Sequence, residues 1–349
     1  MKFEFTEEHE ALRGLVVDLC KQEADPRVVY DTDATIDERL WAGLRSAGLL
    51  GVGSPEDFEG GGAGPVEQLL IAEHLGRAVA AVPFSEHTAA AETIMVLGSD
   101  AQRREHLPPL NRGDVVAGVS LPCRAELAAR SDGATWRLDG RIPLIPNAAS
   151  AGVLVVPALV EGNRRWFVTG KADIIALPTV DRSRPAAAAE LDGADADLLE
   201  GTGSGARGGR LALALAAAEA AGAAANALER TAQYTTERHQ FGLPIGTFQA
   251  VKHRLADMLV AVENSLSSVY GAAWTMAEGG QEDRSVHLAQ AVATANAVSV
   301  ISDAVQLHGG IGVTWECDLH LALRRAKALE ATYGSPAHHR ARIADALLD

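Results

Sequence analysis

Hydrophobic and polar positions along this 349-residue chain fall into three regimes. In the first, Thr6 followed by Glu7, Glu8 and Glu10 predicts a helix start, with an N-cap and an acidic first turn. Leu12, Leu15, Val16 and Leu19 then continue at helical 3/4 spacing. A second helix is predicted over 37–47, ending at Gly48. The Pro/Gly-rich stretch 54–62 excludes regular structure, and a further helix runs from Pro65 to Gly76, with Pro65 suited to the first turn. From 114 to about 199 the period changes. Short apolar runs at 115–121, 135–138, 153–160, 165–168 and 174–177 are separated by turn residues such as Ser131-Asp132-Gly133 and Glu161-Gly162-Asn163, the layout of antiparallel strands. Residues 201–205, Gly-Thr-Gly-Ser-Gly, read as a flexible linker and lack the Lys of a phosphate-cradling loop. Beyond them the helical period returns, over about 209–238, 246–279, 283–308, 317–331 and 337–348. Ala218, Gly222 and Ala225 are spaced so that helix backbones approach closely. The expectation is an α+β chain: an N-terminal α-helical domain (1–113), a middle antiparallel β-domain (114–200) and a C-terminal helical bundle (201–349).

Composition adds exclusions. With 31 Lys and Arg against 46 Asp and Glu, the formal net charge is −15, which argues against a nucleic-acid or anionic-membrane surface. Cys20, Cys123 and Cys317 have no metal or disulfide spacing, as in a reducing compartment. The acidic N-terminus has no apolar signal core, and Glu219 interrupts the Ala-rich run that comes nearest to a membrane span. The expected location is the cytoplasm. His338 and His339, adjacent on a helix, do not converge on one ion and are expected to be solvated.

The candidate chemistry lies in two motifs. One runs from Arg238-His239-Gln240-Phe241-Gly242 to Gln249. The other is Gln306-Leu307-His308-Gly309-Gly310-Ile311-Gly312. An Arg fork suits phosphate oxygens, and Gly admits close backbone approach. Singly, the Arg could instead complement a helix C-terminus and the Gly pair could end a helix. Together with Phe5-Thr6-Glu7-Glu8, Gly48 to Val52, Glu73-His74-Leu75-Gly76 and Lys252 to Met258, and in this order, they resemble the acyl-CoA dehydrogenase family nearly end to end. The resemblance implies that family's fold and a flavin, FAD, lying across a subunit interface. Arg238 would meet the pyrophosphate and Phe241 would pack near the adenosine. Gln249 and Gln306 would give hydrogen bonds, while Gly309 and Gly310 offer backbone N–H groups to a flavin held mainly by the neighbouring chain.

Other family residues are absent. Members usually carry Thr-Glu-Pro followed by Gly-Ser-Asp, where this chain reads Val119-Ser120-Leu121-Pro122-Cys123-Arg124-Ala125-Glu126. A Trp-Ile-Thr-Asn-like strand aligns with Leu144-Ile145-Pro146-Asn147, and Pro146 brings neither hydroxyl nor N–H. The reaction also needs a carboxylate base opposite the flavin. Its usual position, in a Tyr-Glu-Gly-Thr turn, is Tyr333 here, and the alternative, 29 residues before Phe241, is Ala212. Tyrosine has an ordinary pKa of about 10, too high for the role. Glu219, two turns on from Ala212, is the remaining candidate base, or else a partner in an interhelical hydrogen bond or part of a partly exposed helix surface.

The pattern resembles the short, non-catalytic subunit of actinobacterial α2β2 acyl-CoA dehydrogenases. That resemblance implies a longer homologous partner subunit and an acyl-CoA substrate, in such complexes often steroid-derived. An electron-transfer flavoprotein or similar acceptor is also implied, with no metal. Two alternatives stay open: a self-sufficient homo-oligomeric enzyme with a relocated base, and a flavin-free acyl-CoA-binding or protein-binding homologue.

Overall fold

The computed structural model describes residues 4–120, 127–131, 133, 135–201, 205–280 and 282–348. Residues 121–126, including Cys123 and most of the segment without Gly-Ser-Asp, lie outside the described residues. So do Asp132 of one expected turn and 202–204 of the expected linker. The helices in chain order are α1 (Glu7–Glu23), α2 (Val28–Asp31), α3 (Glu38–Ser46), α4 (Pro65–Arg77), α5 (Phe84–Leu97) and α6 (Asp100–Asn111). Strands β1 (Ala117–Val119), β2 (Leu127–Ser131), β3 (Trp136–Pro146), β4 (Val153–Val160), β5 (Asn163–Thr169), β6 (Asp173–Leu177) and β7 (Ala186–Leu198) follow. Then come α7 (Ala206–Glu237), the short strands β8 (His239–Gln240) and β9 (Leu243–Pro244), α8 (Gln249–Glu278), α9 (Glu282–His308), α10 (Leu319–Thr332) and α11 (Pro336–Leu348). The chain packs as two compact units.

One unit comprises Arg27–Gln68 and Ala81–Ala212. Asp37 caps α3 by accepting from the N–H groups of Arg39 and Leu40 at 3.2 Å. The sheet runs β1-β4-β2-β3-β7-β5, and because β5 also pairs with β4 the path closes on itself. Inside it Leu138, Ile142, Val156, Phe167, Ala187 and Ala189 form the core. Pairing is mostly antiparallel, but β1 and β2 each lie parallel to β4, so the sheet is mixed rather than wholly antiparallel. Two strands, β2 and β7, were not evident in the apolar runs. The β7 sequence, Ala-Ala-Ala-Ala-Glu-Leu-Asp-Gly-Ala-Asp-Ala-Asp-Leu, has little β-propensity and is extended because β3, β5 and β6 all pair with it. His87, wholly buried on α5, accepts from the Ala117 N–H through Nδ1 (3.2 Å). It donates from Nε2 to the Leu110 carbonyl (3.1 Å), and burial pushes its pKa down to about 4.

The other unit comprises the described part of Met1–Pro26 with Leu69–Ala80 and Leu213–Asp349. Thr6 caps α1, with His9 rather than a glutamate completing the capping box. The glycine spacing noted on α7 has a counterpart on α4. A Cβ on Gly222 would stand 1.9 Å from the Glu73 carbonyl oxygen, and one on Gly76 would stand 2.2 Å from that of Glu219. Each helix thus presents a glycine to the other's backbone, and the crossing is closer than any side chain permits. By length and apolar content α7 and Glu282–Val313 would each suffice to cross a membrane, contrary to the reading that Glu219 breaks the run. In α7, 89% of the apolar window is buried in the protein, the environment of a core helix. His339 also departs from expectation. It is buried rather than solvated, its Nδ1 lies 2.8 Å from that of His287, and its Nε2 donates to the Tyr333 carbonyl. The packing of α11 on α9 dictates this, and burial first, then His287 and His338, lowers its pKa to about 4.

Candidate functional site

The site forms where α7 ends. Arg238 follows its last residue, and the chain reverses through the β8–β9 hairpin, whose turn residues Phe241 and Gly242 have φ of +54° and +80°. Paired positive φ values mark the tight hairpin turn usually given to Asn-Gly, and a bulky aromatic in that region is strained. Phe241 is also 92% exposed, meeting Phe248 edge-on at 6.2 Å between ring centres. The Ile245 N–H donates to the Arg238 carbonyl (2.8 Å), which fixes the hairpin against the helix end. Opposite, α9 ends at His308, and Gly309 takes φ +63° to start a 3₁₀ turn over Gly309–Val313.

Between these ends lies a cleft of about 630 Å³ lined by Arg238, Gln240, Ile245, Gly309 and Gly310, among others. The fold therefore brings Arg238, Gly309 and Gly310 to one place. Gln306, in the last turn of α9, Gln249, which begins α8, and Phe241 are exposed but do not line this cleft. Among the described residues no ion pair engages the Arg238 guanidinium, and Cβ atoms on Gly309 or Gly310 would meet nothing within 4 Å. An open backbone shelf beside an uncommitted guanidinium fits a phosphate-bearing cofactor. Two lining residues, Tyr234 and His308, went unnoticed in the motif. Their rings stack at 4.1 Å, and His308 Nδ1 donates to the Ala304 carbonyl (2.8 Å). The i, i+4 spacing of Tyr234 and Arg238 was the available signal.

The acyl-CoA dehydrogenase N-terminal domain matches residues 6–114 and the C-terminal domain of the same family matches 207–348. Acyl-CoA dehydrogenase IpdE2 of Mycolicibacterium smegmatis is 30% identical over 95% of this chain and 96% of its own length. The chain belongs to the acyl-CoA dehydrogenase family. Among solved structures it is similar to the Tcur3481-Tcur3483 steroid ACAD, with a TM-score of 0.91 and 30% identity over 98% of each chain. It is also similar to the ChsE4-ChsE5 complex of Mycobacterium tuberculosis, with a TM-score of 0.93 and 29% identity over 100% of this chain and 99% of that one. The fold is accordingly that of acyl-CoA dehydrogenases, with an N-terminal helical domain, a middle β-domain and a C-terminal helical domain, in a family that generally binds FAD.

At the two positions expected above to hold a catalytic base the chain carries Tyr333 and Ala212. Tyr333 is buried at the turn between α10 and α11, and Ala212 is buried on α7. Glu219, 4% exposed, is ion-paired with Arg325 (3.3 Å), itself 1% exposed and donating to the Ala80 carbonyl (2.9 Å). This is the interhelical partnership weighed against catalysis. The pair commits the Glu219 carboxylate to the packing of α7 on α10. In the β-domain the pairing of β3 with β7 shifts register between Ile142 and Ile145, around Pro143 and Leu144. Asn147, at φ +55°, donates from its side chain to Glu86 (2.8 Å), which is also bonded to Arg184. All three are buried, so this strand end is committed to an internal polar network.

Proposed function

We propose that this chain is the cofactor-completing subunit of a heteromeric, flavin-dependent acyl-CoA dehydrogenase. The observation that carries the reading is an open, uncommitted half-site at Arg238, Gly309 and Gly310 in a chain without a carboxylate at either base position. In the assembled enzyme Arg238 gives its N–H fork to the pyrophosphate of an FAD held mainly by a longer homologous subunit. The Gly309-Gly310 backbone lies against the same cofactor, with Gln249 and Gln306 as further donors. The chemistry supplied there, with flavin bound, is acceptance of a hydride from the acyl β-carbon. The partner contributes the base and the residues touching the flavin ring. Exposed Phe241, Leu243, Ile311, Val313 and Trp315, all on the hairpin and the turn after α9, support burial of this face by another chain. The substrate is an acyl-CoA thioester, and the likeness to a steroid acyl-CoA dehydrogenase supports a steroid-derived acyl group. An electron-transfer flavoprotein is the corresponding acceptor.

The test is the flavin-to-polypeptide ratio of the purified chain, alone and with its longer homologue. The expected ratio is near zero alone, with flavin and dehydrogenation appearing in the complex and flavin retention falling in Arg238→Ala. Full activity of the chain alone would overturn the reading in favour of a homomeric enzyme. Acyl-CoA binding without flavin in either state would show a non-redox homologue.

A further inference from the structure

His308 stands at the shared wall of two clefts. One is the half-site with Arg238, Gly309 and Gly310. The other, of about 550 Å³, is lined by Arg230, Gln233, Glu316 and Cys317, among others. The His308 ring stacks on Tyr234 with the two planes 17° apart, and the Tyr234 hydroxyl donates to the His308 carbonyl (3.3 Å). Its Nδ1 lies 2.8 Å from the Ala304 carbonyl. A carbonyl oxygen only accepts, so Nδ1 carries a proton and the tautomer is fixed. In the neutral ring Nε2 is then a bare lone pair. None of the described residues bonds Nε2, and it is not shielded from solvent, so it opens on the space that the ring lines.

Such a lone pair opposes a phosphate oxygen, which also only accepts. Protonated at Nε2, the same ring donates to that oxygen with a full charge. Gly309 follows His308 directly, so a phosphate on the Gly309-Gly310 backbone lies beside it. We propose that phosphate binding in this half-site is coupled to the uptake of one proton by His308, whose Nε2 then donates to the bound anion. The proposal rests on the flavin half-site reading and deepens it. Without ligand the ring is neutral near pH 7. Burial lowers its pKa from the usual 6.5, the Ala304 hydrogen bond opposes this, and Arg230 adds to the lowering. The other charges around the two clefts are Glu229, Glu237 and Arg238 of α7 and its end, with Glu316 and Cys317 before α10. Glu229 is paired with Arg77 (2.8 Å), Glu237 accepts from Gln233 (2.6 Å), and Asp303 of α9 is paired with Arg254 of α8 (2.8 Å). A phosphate brings a new negative charge to the ring, and the C-terminal end of α9 already favours an imidazolium. The complex therefore has the higher pKa. The added affinity is full below the free pKa and is lost as pH rises through that of the complex.

The experiment titrates the full chain with ADP-ribose, whose pyrophosphate is esterified at both ends and does not titrate near neutral pH. Calorimetry in buffers of different ionisation enthalpy reads the affinity and the protons taken up. Imidazole NMR reads the His308 pKa, its signal identified by its loss in His308→Gln. The expected affinity falls about tenfold per pH unit within the window, uptake approaches one proton per ADP-ribose, and His308 titrates higher in the complex. Adenosine, without phosphate, should show none of these. His308→Gln places an N–H near the position of Nε2 at every pH and should bind ADP-ribose without pH dependence. His308→Phe keeps a ring against Tyr234 without the donor and should bind at the weak, alkaline level throughout. ADP-ribose binding with an unmoved His308 signal, or with one affinity at every pH, overturns the inference and leaves the half-site standing. No binding at any pH overturns it as well, and the flavin content of the assembled complex then decides the half-site separately.

Discussion

Substituting Gly222 by Ala tests the helix crossing quantitatively, because a single methyl group must enter a space 1.9 Å from a carbonyl oxygen. Ordinary contact begins near 3.4 Å, and the obstructing atom is backbone, so α4 and α7 must separate by roughly 1.5 Å. A gap of even 0.5–1 Å forfeits about a quarter to a half of the contact energy along the seam. That places the cost near the upper end of the overpacking range, about 3 kcal/mol. Alanine recovers about 1 kcal/mol through its better helix propensity. The expected net loss is about 2 kcal/mol, read as a lower guanidinium midpoint at unchanged slope by far-UV circular dichroism. Gly14, exposed in the middle of α1 with nothing within 4 Å of a Cβ, is the internal control. There the same substitution should stabilise by about 0.5–1 kcal/mol. If Gly222→Ala stabilises as much as Gly14→Ala, the close crossing does not govern this unit.

Acid should destabilise the chain in a defined window. His87 and His339 have folded pKa values near 4 against an ordinary value of 6.5, so the unfolded chain binds more protons between those limits. Stability should be full above about pH 6.5 and decline as pH falls to about 4, by up to about 3 kcal/mol for each group; a flat profile in urea denaturation across this window would contradict the buried, neutral assignment. Arg325→Met strands the Glu219 carboxylate and should cost about 3–5 kcal/mol, with Glu219→Leu in the same chain restoring most of it. A double variant no more stable than Arg325→Met would show that the pair is not coupled. Phe241→Asn relieves a strained turn and should leave the melting temperature of the isolated chain unchanged or higher, yet weaken assembly in sedimentation with the longer subunit. Unaltered assembly would remove Phe241 from the proposed interface.

Most helices were legible because their signals are local: the cap at Thr6, the proline opening α4 and the 3/4 spacing of α1 all act within a turn or two. Of the six residues read from the motifs, the structure gathers Arg238, Gly309 and Gly310 at one cleft although 71 positions separate the first two, while Phe241, Gln249 and Gln306 do not line it. What escaped was decided at a distance. Strand β7 is extended by its neighbours against its own composition. Glu219 acquires its role from Arg325, 106 residues on, and His339 is buried because α11 packs on α9. The strain at Phe241 went unseen because Phe-Gly carries no ordinary turn signal, whereas Asn-Gly would have.

The interleaving of the two units along the chain has a consequence for synthesis. The unit made of Arg27–Gln68 and Ala81–Ala212 has all its residues once position 212 has been added. The other unit has its first two segments by residue 80 and must wait for more than a hundred further residues before α7 offers Gly222 to the backbone of α4. During that interval the Leu69–Ala80 segment lacks its native cover, while the sheet-bearing unit is free to form. Vectorial synthesis therefore orders the folding of this chain from the middle outwards, and its long-range bundle closes last.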